Sequence, residues 1–105
     1  MKSIKTLLLT LLFILPLLYA CSESTDVVES GTYEGTVDKA VPDKREIYVQ
    51  TSDNKRLELY FTDNTTLTRN GETVTFDQLA EGQRVEVEVE KVGQRLDPIA
   101  VRILE

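Results

Sequence analysis

The chain has 105 residues, 18 of them acidic and 12 basic, with a formal net charge of −6 at pH 7, no histidine and one cysteine. That length holds one small domain. The absence of histidine removes the commonest general base near neutral pH and the commonest metal ligand, and the negative charge opposes nucleic acid, whose capture depends on Lys and Arg. A carboxylate pair remains able to act as acid and base, as in glycosidases. However, so short a chain has little room for a deep substrate cleft and no Asp/Glu pair stands out, so the composition points away from an enzyme and indicates no cofactor or metal.

The N-terminus has the three parts of an export signal: Lys2 and Lys5, an apolar stretch from Leu7, and the small residue Ala20. Leu7 to Ala20 is fourteen residues, interrupted by Thr10 and Pro16, short of the roughly 20 apolar residues that a membrane-spanning helix needs. The stretch is therefore expected to be removed, as a signal peptide over 1–20. The run Leu18-Tyr19-Ala20-Cys21 resembles the lipobox of bacterial lipoproteins, with Tyr19 larger than the residue usual there. In that family the cysteine thiol receives a diacylglyceryl group and becomes the first residue of a membrane-tethered protein. The resemblance implies lipidation at Cys21 and a cell-envelope location. Ser22, in place of Asp, implies the outer membrane, facing the periplasm. Lipidation also removes the oddity of a lone thiol in an oxidising compartment.

Both basic residues of the signal and none of the acidic ones precede Cys21, so the chain from residue 21 onward carries a side-chain charge of −8. Such a surface favours cationic partners, divalent ions or plain solubility. The segment Ser22 to Ser30 is polar and acidic, with Val27 and Val28 its only apolar residues, so 21–30 is expected to be a lipidated flexible tether. Nine residues of coil reach about 15–18 Å.

From Gly31 to Glu105 the chain reads as strands. Tyr33, Gly35 and Val37 form a weak alternating face in Thr32 to Val41, where Gly35 predicts a bulge or sharp bend. Ile47, Val49 and Thr51 form a second face and Leu57, Leu59 and Phe61 a third. Residues directly opposite in an antiparallel pair share a face, so Val49 must oppose Leu57 or Leu59, and either choice leaves an odd loop. A two-residue turn at Asp53-Asn54 is thereby excluded, and Ser52-Asp53-Asn54 fits a three-residue loop with Asn54 at positive φ. Either register also puts Tyr48 and Tyr60 on the outer face as direct or diagonal neighbours.

Asn70-Gly71 predicts a hairpin within Leu67 to Val74. Thr75 with Gln78 three residues later has the capping-box pattern, which predicts a helical turn from Phe76 to about Glu81 closed by Gly82, with Phe76 and Leu79 plugging one end of a barrel. Val85, Val87 and Val89 alternate with Glu86, Glu88 and Glu90. Asp97-Pro98 is expected to open the last strand, with Ile99, Val101 and Ile103 inward. Three strands, an insertion with one short helix, then two strands resemble the OB-fold, a five-stranded barrel with its helix between strands three and four. Gly35-Thr36-Val37, Thr65-Thr66-Leu67, Phe76-Asp77-Gln78-Leu79, Gly82 to Val87, and Ala100 before Ile103 also resemble a family of small bacterial envelope domains of unknown function. That resemblance implies a mainly β, OB-like barrel over 31–105 in the envelope, and no catalytic residues.

Three constellations bear on function. Tyr48 and Tyr60 could form a small binding platform, although cross-strand aromatic pairs are also plain sheet stabilisers. Glu86, Glu88 and Glu90 could attract a cation or a basic protein, but a solvated strand face partnered by Arg102 accounts for them better. Asp63, Asn64, Thr65 and Thr66 gather hard oxygens around one carboxylate, too few for Ca²⁺, and read as a capped turn. The chain is accordingly expected to be an envelope lipoprotein carrying a non-catalytic binding module for a protein or glycan. The alternatives are a structural or accessory subunit of a larger envelope assembly and, further off, a small hydrolase.

Overall fold

The computed structural model describes residues 24–104. Seven strands follow one another: β1 (Gly31–Val41), β2 (Glu46–Thr51), β3 (Arg56–Tyr60), β4 (Thr66–Arg69), β5 (Glu72–Thr73), β6 (Arg84–Val92) and β7 (Arg95–Ile103). Their order in one sheet is β3-β2-β1-β6-β7-β4-β5. All pairs are antiparallel except β4 with β7, which runs parallel from Thr66 opposite Ala100 to Arg69 opposite Ile103. The short link 61–65 ties β3, at one margin of the sheet, to β4 near the other. The sheet must therefore curl, and β3 comes to lie beside β7. The inward faces meet in one core, in which Ile47, Val49, Leu57, Leu59, Val85, Val87 and Val101 are wholly buried.

The alternation that marked the strands holds in β2, β3 and β6. Val49 opposes Leu57, and the loop between them is the expected three residues, with Asn54 at φ 70°. Asn70 and Gly71 have φ 56° and 84°, as a hairpin turn that matches strand twist requires.

Two expectations about strand interiors fail, both because of bulges. Gly35 sits in regular register opposite Thr51, and the irregularity falls between Val37 and Lys39, with Asp38 as the extra residue. In β7 the shift lies opposite Glu88 and Val89, which pair with Ala100 and Pro98 and leave Ile99 over. Ile99 is consequently exposed rather than inward, and the buried residues change from Leu96 and Pro98 before the bulge to Val101 and Ile103 after it. β7 also begins earlier than Asp97, because Gly93 at φ 63° turns the chain directly out of β6.

The expected helix is a single 3₁₀ turn, Phe76–Gln78. The capping box does not form: the Thr75 hydroxyl donates to Asp77, and the Gln78 side chain accepts from Arg69 (3.1 Å). Leu79 is already extended, and the chain docks on β1 through Gly82 N–H to Val37 O and Val37 N–H to Gln83 O, each 2.8 Å. The plug itself is present, since Leu79 is buried and Phe76 packs edge-on against Phe61 with ring centroids 5.0 Å apart. The count of seven strands exceeds the expected five because the Asn70-Gly71 arm forms two short ones and pairs with β7.

Part of the expected tether is also fastened. Asp26 N–H donates to Arg56 O (2.7 Å), Arg56 N–H donates back to Asp26 Oδ2 (3.0 Å), and Val28 packs against the core. Composition weighs average burial, whereas here one carboxylate finds a partner on β3 and one valine packs against the core.

Candidate functional site

The outer face of β2 and β3 is set out by register. Glu46 opposes Tyr60, Tyr48 opposes Glu58, and Gln50 opposes Arg56. The structure thus brings the two tyrosines together as diagonal neighbours, each directly across from a glutamate. The bulge in β1 adds a third row by placing Asp38 and Lys39, two consecutive residues, on this side. Arg56 Nε donates to Asp38 Oδ2 (3.0 Å) while its guanidinium lies 4.4 Å from the Tyr48 ring centroid, and Lys39 Nζ lies 6.0 Å from the same ring. Both distances are within cation–π range. Tyr48 is therefore a half-covered ring stacked under Arg56, and Tyr60, 49% exposed, is the open aromatic surface.

Glu46 is the residue that sequence reasoning passed over. It points outward by alternation, yet it is only 2% exposed, and its Oε2 has no hydrogen-bond partner. Tyr60 OH donates to Glu58 Oε2 at 2.9 Å and Tyr48 OH to the same oxygen at 3.3 Å. The direct phenol bonds go to Glu58 Oε2, and Glu46 lies near enough to interact with the same two phenols. Burial pushes the Glu46 carboxyl up, but hydrogen bonding from Glu58, Tyr48 and Tyr60 and the Lys44 charge outweigh it, so the group stays below its usual range and ionised. The phenols move the other way. Tyr48 is raised to about 12, first by hydrogen bonding to Glu46 and then by burial and the Glu58 charge. Tyr60 is raised further, chiefly by its hydrogen bond to Glu58.

These shifts have a sign that can be checked. A phenol whose folded pKa exceeds its unfolded one lends stability that is complete below pH 10 and is lost as pH rises through about 12. In a spectrophotometric base titration of the native protein, Tyr48 and Tyr60 are expected to stay largely un-ionised at about pH 10, where a free phenol is half-titrated. Glu46→Gln should lower Tyr48 most, and Glu58→Gln should lower Tyr60 most. Ordinary ionisation of both in the native chain would refute the arrangement.

A cleft of about 360 Å³ adjoins this face. It lies at the seam where β3 runs beside the first half of β7, because β4 takes up the parallel pairing with the second half of β7. Asp26 and Val27 form one wall, Glu58 and Tyr60 another, and Leu96 and Asp97 a third. Arg95 donates to both oxygens of Asp97 (2.8 and 3.3 Å), which holds that carboxyl below its usual range. A second hollow, of about 380 Å³, lies beside Phe61 and Phe76 and is lined mainly by threonines with Arg45.

The other constellations are internally occupied. Arg102 reaches both Glu86 Oε1 (2.9 Å) and Glu88 Oε1 (3.6 Å). In the 62–65 turn, Thr62 N–H donates to Thr65 Oγ1 (2.9 Å), Asn64 N–H to Thr62 Oγ1 (3.1 Å), and Thr65 Oγ1 to Pro98 O (2.8 Å), so its oxygens build the turn. The predicted signal peptide and Cys21 lie outside the described residues. Glu46 was findable in principle, because the register that placed Tyr48 beside Tyr60 also places Glu46 directly opposite Tyr60.

Comparison of the sequence with protein families and with characterised proteins gives no match. The fold, by contrast, is similar to solved structures. A Cu(II)-bound variant of CusF from Escherichia coli aligns with a TM-score of 0.59 at 9% identity, over 79% of this chain and 100% of that one. Ag(I)-bound CusF aligns with a TM-score of 0.56 at 10% identity, over 73% of this chain and 100% of that one. At such identity the likeness is one of fold: this chain is a small, mainly β, OB-like domain.

Proposed function

We propose that this protein is a bacterial envelope lipoprotein, held at the outer membrane by a diacylglyceryl group on Cys21 and facing the periplasm, whose barrel is a non-catalytic binding module for another envelope protein or a glycan. The observation that carries the binding role is the outer face of β2 and β3, where Tyr60 and Glu58 line an open cleft with Tyr48 diagonal to Tyr60. The lipobox resemblance supports the anchor. No nucleophile–base pair stands on the face, and its carboxylates interact closely with the phenols and with each other rather than across a substrate gap.

The copper and silver in the CusF structures raise a metal-binding reading, and the donor chemistry of this chain opposes it. Soft and borderline ions favour thiolate, thioether and imidazole donors, and residues 24–104 contain no Cys, Met or His. Among the described residues no three His, Cys, Asp or Glu side chains gather as a metal site would require.

The test is crosslinking in intact cells. Wild-type protein is expected to give a discrete adduct, and Tyr48→Ser with Tyr60→Ser is expected to reduce it by about tenfold or more, the scale for loss of aromatic anchors. The double variant should still melt cooperatively. Adducts that survive the double change would remove the face from consideration.

A further inference from the structure

We infer that the cleft between β3 and β7 takes a neutral saccharide, with a sugar ring against Tyr60 and two adjacent hydroxyls held by Arg95 and Asp97. The inference rests on the binding-module reading and chooses, between protein and glycan, the class of its ligand.

Strand alternation builds the cleft. Residues two apart on a strand share a face, so β3 presents Glu58 with Tyr60, and β7 presents Arg95 with Asp97. Buried Leu96 and exposed Val27 add apolar lining. Tyr60 is the exposed aromatic of this wall, and its hydroxyl donates to Glu58 Oε2 (2.9 Å), which fixes the polar end of the ring. Arg95 meets Asp97 through Nε (2.8 Å) and Nη2 (3.3 Å). Among the described residues that pairing leaves Nη1 and further lone pairs on both carboxylate oxygens unused. Donors and acceptors thus stand side by side on a pair without net charge.

A hydroxyl both donates and accepts, so two adjacent sugar hydroxyls complement such a pair, whereas an anion or a cation satisfies only half of it. The C–H face of a sugar ring carries weakly positive hydrogens, which suit the negative face of an aromatic ring. The volume of about 360 Å³ lies at the small end of ligand cavities, which run from roughly 300 to 1,000 Å³. Charge narrows the class further. Asp26, Glu58 and Asp97 outnumber Arg95 around the cleft, so a sugar acid or a phosphosugar is repelled. Each of these carboxylates already accepts a hydrogen bond, Asp26 from Arg56 N–H, Glu58 from the phenols and Asp97 from Arg95, which lessens their call for a cation. A peptide strand gains little purchase, because β7 lies beside β3 and Asp26 takes both the N–H and the C=O of Arg56.

The experiment titrates the full-length protein, in a detergent without a sugar head group, with chitotriose and with maltotriose, followed by amide NMR shifts. Separate arms use trigalacturonate and an acetylated, amidated tri-lysine peptide at the same ionic strength. The expected result is saturation by a neutral trisaccharide at millimolar concentration, with shifts confined to residues 25–27, 58–62 and 94–97. Asp97→Ala should weaken it by about tenfold or more, the scale for hydrogen bonds to a charged group, and Glu88→Gln on β6 should leave it unchanged. If Asp97→Ala does not fold, Arg95→Ala gives the same reading. The inference is overturned if neither trisaccharide saturates, if a folded Asp97→Ala protein binds equally well, or if trigalacturonate or the lysine peptide saturates the same resonances. Such a failure leaves the cellular crosslinking result standing, and crosslinks that ignore the tyrosines leave the saccharide titration standing, so the two readings fail separately.

Discussion

Gly35→Ala is expected to lower the unfolding free energy by about 1–3 kcal/mol, the usual cost of forcing atoms into a packed interior. A Cβ at this position would stand 2.4 Å from Gln50 O and 2.9 Å from both Gln50 C and Val49 Cγ1. Two of those three atoms are backbone, so no rotamer change relieves the contact, and β1 and β2 must move apart where their ladder is regular. In a domain of this size each kcal/mol corresponds to roughly 4–8 °C in Tm, so thermal melting reads the effect directly. Gly71→Ala is the control. Its Cβ would meet nothing within 4 Å, and its φ of +84° leaves only a conformational cost of about 1 kcal/mol. Equal melting temperatures for the two variants would refute the close approach.

Cys21→Ser is expected to abolish lipid anchoring outright: an uncleaved precursor that keeps its apolar signal, with no incorporated acyl label. The size of the effect follows from the chemistry of the anchor. At about 0.8 kcal/mol per buried methylene, two or three acyl chains hold a protein stably. Normal processing of the variant would refute the anchor. Attachment also bears on the cleft. Asp26 is fixed to Arg56 five residues beyond Cys21, and five extended residues span at most about 17 Å. If Cys21 is acylated as proposed, the cleft wall stands within about that distance of the membrane surface.

Much of the architecture was legible along the chain because a half-buried strand writes its period into its own residues. Ile47, Val49 and Thr51 against Leu57, Leu59 and Phe61 identify two strands, their parity dictates the three-residue loop, and Asn70-Gly71 declares a turn through its backbone preferences. The pairing of Tyr48 near Tyr60 follows from the same parity. The helix was misjudged because Thr75 and Gln78 have the local pattern of a cap while their side chains find other partners, Asp77 and Arg69.

By itself, then, the sequence determined that this is a small acidic β-domain, which faces β2, β3 and β6 bury, and that it carries no histidine. Tertiary structure alone decided the bulges at Asp38 and Ile99, the docking of Asp26 on β3, the cleft at the seam and the burial of Glu46. Each depends on which strand lies beside which and in what register. A bulge is invisible until its partner strand counts one residue fewer, and the burial of Glu46 at an outward position depends on the neighbouring strand bringing Tyr60 directly opposite it.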